Sequence, residues 1–205
     1  MKLCDAINTR RSVQAYEKGH TITQEEWKQL FDLVTQSPSS WNLQPWKFLV
    51  IEDEKKRADI QAMAWGQPKI TESSALIIVL GDTNPQRNKV QIFDQWKNNG
   101  IINDEIYATW MDAVGAIYPT DYEQHEFAIR NSSFAAMTLM LAAWGMGYAT
   151  CPMIGFDKKG LSEYIGVDDD WIVSFIMTIG KAAGEVPFER QQRFPFSDIV
   201  AFDTL

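Results

Sequence analysis

The sequence of 205 residues has little of what several classes of protein require. Its two cysteines, Cys4 and Cys151, lie far apart and match no metal-binding spacing, so we expect neither a disulfide framework nor a metal site. Acidic residues outnumber basic ones by 27 to 19, giving a formal net charge of -8. This balance argues against nucleic acid or an anionic membrane as a partner, since both require a basic surface.

Long apolar runs are also missing. No window approaches the roughly 18 uncharged apolar residues that a membrane span needs, and residues 1–11 contain charges but no apolar stretch like that of a signal peptide. Cysteine usage favours a reducing compartment, so we expect a cytoplasmic protein. A hydrophobic fraction of 45% and a charged fraction of 22% predict one globular domain over residues 1–205.

The chain lacks the usual signatures of nucleophilic and phosphate-loop chemistry as well. His20 and His125 are its two histidines, and neither supports Cys151, which we interpret as a buried, inert thiol. There is no GxxxxGK motif, and Gly145-Met-Gly147 follows a predicted helix instead of a strand. No convincing nucleophile or general base is therefore expected.

What the chain does have is an unusual polar stretch, SPSSWNLQPWKFLV, at residues 37–50. Pro38 and Pro45 fix their own φ and restrict the preceding residues, which predicts an extended, stiff connection and no helix. Serine, asparagine and glutamine side chains offer donors and acceptors in close succession, and the apolar run after Pro45 predicts a buried strand. A binding loop mounted on a core strand is one interpretation. A capping turn that joins a helix to a strand is the other.

Periodicity and capping signals predict at least four helices and three strands. The helices are a short one ending near Thr9, one after a capping box at residues 23–26, two at residues 53–64 and 157–165, and a mostly apolar one at residues 127–144. A capping-box spacing at residues 121–124 opens this last helix, which we expect to be buried nearly all round. Residues 75–80 predict a strand buried on both faces, and residues 147–156 and 171–179 predict two more.

Two further segments are candidates for binding. Arg10, Arg11 and Ser12 could together donate several hydrogen bonds to a phosphate, although an ordinary solvated charge pair is the alternative. Residues 84–119 mix aromatic and polar side chains irregularly. We predict a lid, and a helical hairpin that simply covers the core is the equal alternative.

The pattern Ser-Pro-Ser-Ser-x-Asn-x-Gln-Pro-Trp-x-Phe, which begins at Ser37 and is preceded by Arg10-Arg11-Ser12, resembles the FMN-dependent nitroreductase family. The similarity runs from Arg10 to Arg193 and is weak at about residues 84–118. It implies an α+β fold with a central, mostly antiparallel sheet flanked by helices, in an intertwined homodimer. It also implies FMN as cofactor, NADH or NADPH as donor, and ping-pong reduction of nitroaromatics, quinones or similar electron-poor acceptors.

The resemblance also implies a site. The residues expected at the FMN phosphate are Arg10, Arg11, Ser12, Arg190 and Arg193. Those expected to reach the flavin ring from the neighbouring chain are Pro38, Ser39, Ser40 and Asn42. Those expected at the ring itself are Lys69, at its pyrimidine edge, and Met153, Ile154 and Gly155, with backbone near N5. Gln14 is expected to bind the cofactor as well, although it stands where many relatives have Lys or Arg. The residues expected to line the substrate pocket under the lid are Trp41, Trp96 and Trp110. No side chain is given a catalytic role, because a flavin carries the hydride itself.

Two other functions stay open at this stage. The same fold also hosts dehalogenation and flavin-fragmenting chemistry, which would require a lid able to chelate a zwitterionic substrate, and residues 84–119 show no clear set of residues for that. Alternatively, the chain could bind or sequester a flavin without catalysis. Reduction by NADH or NADPH would distinguish an oxidoreductase from such a binding protein.

Overall fold

The computed structural model describes residues 2–184 and 189–204. Its helices are α1 (Leu3–Thr9), α2 (Gln24–Val34), α3 (Glu54–Met63), α4 (Lys69–Glu72), α5 (Lys89–Asn98), α6 (Asp104–Ile117), α7 (Asp121–Gly145), α8 (Lys158–Ile165) and α9 (Phe196–Ile199). Its strands are β1 (Trp46–Ile51), β2 (Ala75–Asp82), β3 (Ala149–Met153) and β4 (Trp171–Gly180). Every helix and strand expected from the sequence is present. In the described part of the chain, no helix is long and apolar enough to cross a membrane.

The four strands form one antiparallel sheet in the order β1-β2-β4-β3. Residues of β2 pair with β1 on one side and with β4 on the other, as Val79 does with Phe48 and with Phe175. The predicted α+β fold with a mostly antiparallel sheet is confirmed. The intertwined homodimer stays a prediction.

Strand β2 is the centre of the core, and all eight of its residues are buried. Successive side chains of a strand point to opposite faces of the sheet. Ala75, Ile77 and Val79 therefore pack with α2 and α7, whereas the alternate residues of β2 pack with α3 and α8. Because helices cover both faces, the strand reads as an unbroken apolar run.

Strand β1 departs from expectation. The sequence predicted a buried strand, but β1 lies at the edge of the sheet, and Ile51 alone among its six residues is buried. Its apolar composition reflects half-buried side chains, such as Phe48, that pack against the core from the edge. Edge strands are usually less apolar than β1, which is why its sequence predicted a buried position.

Helix α7 also differs from expectation in two ways. Thr120 caps it instead of Asp121: the Thr120 hydroxyl accepts from the backbone N–H of Glu123 at 3.3 Å, and the Glu123 carboxylate accepts from the N–H of Thr120 at 3.0 Å. The expectation that it is buried nearly all round is wrong for the single chain, since Phe134 is 53% exposed and Met137 41% exposed. The helix packs on the sheet with one face and leaves apolar side chains on another.

Residues 84–119 fold as a helical hairpin made of α5 and α6. Its side chains form a separate cluster around Phe93 and Val114, which also receives Leu43 from the polar stretch and Phe127 from α7. At its base, Arg87 bridges Asp82 of β2 and Asp170 beside β4, with nitrogen–oxygen distances of 2.5 and 2.7 Å. The hairpin is thus anchored to the sheet by an ion-pair network and to α7 by packing.

Candidate functional site

The polar stretch that follows α2 is not the extended connection predicted from its prolines. Residues Ser40–Asn42 form a 3₁₀ turn, and Trp41, Asn42 and Gln44 have φ values of 54°, 56° and 50°. Each non-glycine residue in this left-handed region costs about 1 kcal/mol or more. Such a run persists only where the surroundings hold it, and strain of this kind is concentrated at functional sites.

Several hydrogen bonds from outside the stretch hold it in place. Asn88 donates to the carbonyl of Leu43 at 2.9 Å, the Ser37 hydroxyl donates to that of Thr138 at 2.8 Å, and two further residues bind Ser40. The buried Asn131 of α7 accepts a hydrogen bond from the backbone N–H of Ser40 at 2.8 Å and donates to the carbonyl of Phe127 at 2.7 Å. The hydroxyl of Tyr118 lies 2.8 Å from that of Ser40. Within the stretch, the Ser39 hydroxyl accepts from the N–H of Gln44 at 3.0 Å. The loop is therefore rigid by hydrogen bonding.

The two ends of the described chain meet at a cavity of about 220 Å³, which we call the arginine cavity. Its lining residues are Arg10, Arg11, Ser12, Gln14, Glu189, Arg190, Gln191 and Arg193. Arg190 donates to the carbonyls of Asn8 and Arg10 at 2.6 and 2.8 Å, which fastens the C-terminal segment to the end of α1. Ser12 pairs with Thr150 in an isolated bridge, so β3 positions the triplet.

The electrostatics of the arginine cavity favour an anion. Partial burial, followed by the nearby charges of Arg190 and Arg193, lowers the pKa of Arg10 from its ordinary value. Nη1 of Arg10 is buried and has no hydrogen-bond partner among the described residues. The guanidinium groups repel one another, and one of them has a donor without a partner. Together with the Ser12 hydroxyl, they could donate hydrogen bonds to the oxygens of a phosphate group.

Gln14 connects this cavity to two buried groups. Its amide oxygen accepts a hydrogen bond from Nζ of Lys69 at 2.8 Å, and its amide nitrogen lies 3.6 Å from the sulfur of Cys151. Lys69 is buried and forms no ion pair within the described residues. A buried ammonium group held by one neutral acceptor retains donors that could meet the electronegative edge of a ligand.

The segment after β3 brings a glycine beneath an aromatic ring. Ile154 is 76% exposed, Met153 is buried, and a Cβ on Gly155 would lie 3.0 Å from Cη2 and 3.2 Å from Cε3 of Trp65. No residue other than glycine fits under that ring without displacing it. The sequence also places Trp65 four residues before Lys69.

Other expected site residues lie elsewhere in the chain. Trp41, Trp96 and Trp110 are half-buried around Phe93, with centroid separations of 5.2 Å for Trp41–Trp110 and 5.7 Å for Trp96–Trp110. We call these four rings the aromatic cluster. Pro38, Ser39, Ser40 and Asn42 lie beside it in the loop. Within one chain, the structure thus brings together the arginines, Ser12, Gln14 and Lys69. The loop residues are not part of this group, and Ser40 in the loop is bound by Tyr118 and Asn131.

A larger cavity of about 770 Å³ contains none of the predicted site residues. It lies between residues 18–22, the end of β1 and residues 71–74. Lys18 and Glu72 on its wall pair at 3.6 Å, and Arg57 donates to the carbonyls of Thr71 and Ser73. The buried Nε of Arg57 has no hydrogen-bond partner among the described residues, as is true of Nη1 of Arg10, so neither the size of a cavity nor one unpartnered donor identifies the site by itself. The arginine cavity differs because it gathers several arginines and Ser12.

Three residues of interest were missed from the sequence: Trp65, Tyr118 and Asn131. Asn131 was detectable in principle as an amide within an otherwise apolar helix. Tyr118 was noted among the aromatic residues, but its bond to Ser40 joins positions 78 residues apart. For Trp65, the adjacent glycine was the available signal of an unusual backbone.

Comparison with known proteins agrees with this geometry. The model of the nitroreductase family matches residues 7–181, and the chain belongs to that family. It is 33% identical over 195 residues to YodC of Bacillus subtilis, covering 95% of this chain and 96% of YodC. It is 35% identical over 198 residues to MhqN of the same organism, covering 96% of each. Both relatives are named as candidate NAD(P)H nitroreductases.

Solved structures show the same fold. A nitroreductase candidate from Bacillus subtilis, ydfN, superposes with a TM-score of 0.92 at 34% identity over 97% of each chain. A second, from Exiguobacterium sibiricum 255-15, was solved in complex with FMN and superposes with a TM-score of 0.89 at 29% identity, covering 98% of this chain and 97% of that one.

Proposed function

We propose that the chain is an FMN-dependent NAD(P)H oxidoreductase that reduces nitroaromatics, quinones or similar electron-poor acceptors. The observation that carries this proposal is the meeting of Arg10 with Arg190 and Arg193 around a buried, unpartnered guanidinium nitrogen. The FMN-bound relative and the names of the curated relatives support it. The proposal treats residues 1–205 as one FMN-binding domain that works in the cytoplasm.

The residues of the arginine cavity fit the phosphate of FMN. Arg10 has a donor to give, Ser12 offers a hydroxyl, and Arg193 adds a second guanidinium whose Nη1 now donates to the carbonyl of Gln191 at 2.7 Å. A phosphate dianion would offset the burial and the repulsion that together lower the pKa of Arg10. Arg11 and Arg190 would complete the positive surroundings, with Arg190 also holding the C-terminal segment.

The residues beyond the cavity fit the flavin ring. When bound, FMN supplies the hydride chemistry that the side chains lack. Lys69, held by Gln14, would stabilise negative charge at the pyrimidine edge of the flavin. Gln14 is uncharged, so Lys69 would have to supply the positive charge there. The backbone of Ile154 and Gly155 would approach the N5 side of the ring. One exposed face would admit the nicotinamide and, after its departure, the acceptor, which is a ping-pong order.

A second copy of the chain is part of the proposal. Apolar surface is exposed on α7 at Phe134 and Met137, and an apolar groove of about 600 Å³ lies between α1, α2 and α7. The C-terminal segment exposes Phe194, Phe196 and Phe202, each at least 65% accessible. A homodimer would cover these surfaces. It would also bring Pro38, Ser39, Ser40 and Asn42 of one chain to the flavin of the other.

Anaerobic titration of the purified, FMN-loaded protein with NADH and with NADPH tests the proposal. We expect at least one nicotinamide to bleach the visible flavin absorbance, and a nitroaromatic or quinone to restore it. A protein that binds FMN but is bleached by neither nicotinamide would be a flavin-binding protein without this activity. A protein that does not bind FMN would contradict both functions.

A further inference from the structure

The structure contains a second cavity to which the proposed function gives no role. It measures about 770 Å³ and lies between residues 18–22, the end of β1 and residues 71–74. The described residues that line it include none of those that line the arginine cavity. Pockets that hold small molecules typically measure about 300–1,000 Å³. This space, which we call the second cavity, is therefore large enough for a ligand of its own.

Arg57 of α3 lines the second cavity and carries a charge without a counter-charge. It is only 6% exposed, and its Nη1 donates to the backbone carbonyls of Thr71 and Ser73. Its buried Nε has no hydrogen-bond partner, and its guanidinium forms no ion pair, among the residues that the structure describes. Because arginines are almost never fully buried without an acidic partner, Arg57 offers a donor to an anionic group.

Carboxylates around the second cavity limit which anionic ligand it can hold. Glu54 lies three residues before Arg57 on α3 and lines the cavity with it, as do Glu52 and Glu72. Glu72 pairs with Lys18 at 3.6 Å, whereas the exposed Glu54 carboxylate makes no hydrogen bond or ion pair within the described residues. Three carboxylates and two cationic side chains thus surround the cavity. A phosphate dianion would be repelled there, but a ligand with one charge of each sign would not.

Glu54 and Arg57 lie close enough to bind the two charges of one small molecule. Side chains three residues apart on a helix have Cβ atoms about 5–6 Å apart. Burial lowers the pKa of Arg57, and the charge that most opposes this shift is that of Glu54. We propose that the second cavity binds an α-amino acid, whose carboxylate accepts from Nε of Arg57 and whose ammonium group donates to Glu54. The hydroxyl of Ser74, 3.2 Å from Nδ1 of His20, would contact its side chain. This inference goes beyond the proposed function and does not depend on FMN.

Calorimetric titration of the FMN-loaded protein with each of the twenty common α-amino acids gives the first test. We expect at least one to bind with a dissociation constant below about 1 mM. Its analogues without the ammonium group and without the carboxylate should each bind about 10-fold more weakly or worse, because each loses a charged hydrogen bond. Absence of binding by all twenty at about 10 mM overturns the inference. An analogue without the ammonium group that binds as tightly as its parent would define an anion site and overturn it as well.

Two substitutions locate the bound amino acid. Arg57→Gln should weaken its binding about 10- to 100-fold, but Arg57 also holds the carbonyls of Thr71 and Ser73, so the loss of this side chain endangers folding. Glu54→Gln changes an exposed side chain and should fold normally. It should weaken amino-acid binding about 3- to 10-fold, whereas the analogue without the ammonium group should bind no more weakly than before. Unaltered amino-acid binding in Glu54→Gln contradicts the inference.

Glu105→Gln is the matched control for Glu54→Gln. Glu105 is also an exposed carboxylate in the first turn of a helix, but it belongs to α6 and does not line the second cavity. Its loss should leave amino-acid binding within about twofold, and equal weakening in both variants would assign the effect to net charge and overturn the inference. FMN affinity should stay within about twofold in both, because the two cavities are separate. If the unaltered protein does not bind FMN, the proposed function alone is contradicted, and the same titrations of the apoprotein decide this inference.

Discussion

The arginine cavity and the aromatic cluster differ in whether their side chains find interaction partners within the described part of the chain. In the cavity, a buried donor of Arg10 has no partner among the described residues, and burial, followed by the neighbouring guanidinium groups, lowers the pKa of Arg10. In the cluster, each ring contacts another, and the adjoining loop hydroxyl and amide groups are paired with Tyr118 and Asn131. Among the described residues the cavity therefore leaves a donor without a partner, whereas the rings and polar groups of the cluster contact one another.

This difference is our reason for proposing the cavity as a ligand site and the cluster as a scaffold. Buried polar groups are nearly always satisfied in folded proteins, so an unsatisfied donor beside like charges indicates a missing partner. Satisfied groups instead rigidify the segment that carries them. We therefore expect substitutions in the cavity to change FMN binding with little change in stability, and substitutions at the cluster to change stability with little change in FMN binding.

The largest expected effect is on FMN affinity in Arg10→Gln. A hydrogen bond to a charged group contributes about 1.5–3 kcal/mol, so the dissociation constant should rise about 10- to 100-fold. Fluorescence titration of FMN into the apoprotein measures it, and the free energy of unfolding of the apoprotein should not fall, because the substitution removes a repelled charge.

Arg130→Gln is the matched control for Arg10→Gln. Arg130 is exposed on α7 and pairs with Glu126 four residues earlier, an arrangement that contributes little. Its loss should leave the FMN dissociation constant within about twofold. Equal weakening in both variants would mean that net charge, and not the cavity, binds the phosphate.

A smaller effect, on stability, is expected in Asn131→Ala. The buried amide accepts from the N–H of Ser40, so its removal leaves this part-buried backbone donor unsatisfied, and it also removes the bond to the Phe127 carbonyl; the free energy of unfolding should fall by about 2 kcal/mol. Urea denaturation of the apoprotein measures the loss. His125→Ala, an exposed change on the same helix, should stay within about 0.5 kcal/mol. An Asn131→Ala protein as stable as this control would show that the left-handed loop is not held by α7.

Gln14 lines the arginine cavity and also binds the buried Lys69, so it could act both in ligand binding and in stability. A pair of substitutions separates these two roles. Gln14→Leu removes the neutral acceptor of the buried Lys69 ammonium and should lower the stability of the apoprotein by about 1–2 kcal/mol. Gln14→Glu restores an acceptor and should keep that stability, but its negative charge in the cavity should weaken FMN binding about 10-fold. If both variants bind FMN as the unaltered protein does, Gln14 is not part of the site.

The sequence predicted the core better than the surface. The unbroken apolar run at residues 75–80 and the Thr23 capping box, with Glu26 donating its N–H to the Thr23 hydroxyl at 3.2 Å, depend on local patterns and were confirmed. The edge position of β1 and the exposed face of α7 depend on which other elements pack against them. A local sequence pattern carries no information about those elements. The cap of α7 was misplaced by one residue because Thr120 and Asp121 are both good caps and spacing alone does not choose between them.

The site shows the same limit. Arg10 and Ser12 were found because adjacent residues form a motif, and Arg193 was added by resemblance alone. The prolines of the polar stretch predicted an extended chain, but hydrogen bonds from Asn131 and Tyr118, 91 and 78 residues away from Ser40, hold it in a left-handed turn. Trp65 and Gly155 also meet only in the folded chain, so contacts between distant positions are what sequence reasoning missed.

The smallest expected effect tests how the loop and the cluster are joined. Tyr118→Phe removes the hydroxyl that lies 2.8 Å from that of Ser40 but keeps the ring, whose centroid is 4.7 Å from that of Phe127. The free energy of unfolding should fall by about 0.5–1 kcal/mol, and FMN affinity should stay within about twofold. A double-mutant cycle with Ser40→Ala should give a coupling energy of about the same size. A coupling of zero would mean that the Tyr118–Ser40 hydrogen bond does not fasten the loop to the cluster, which would leave packing by Trp41 and Leu43 and the bonds from Asn88 and Asn131 to do so.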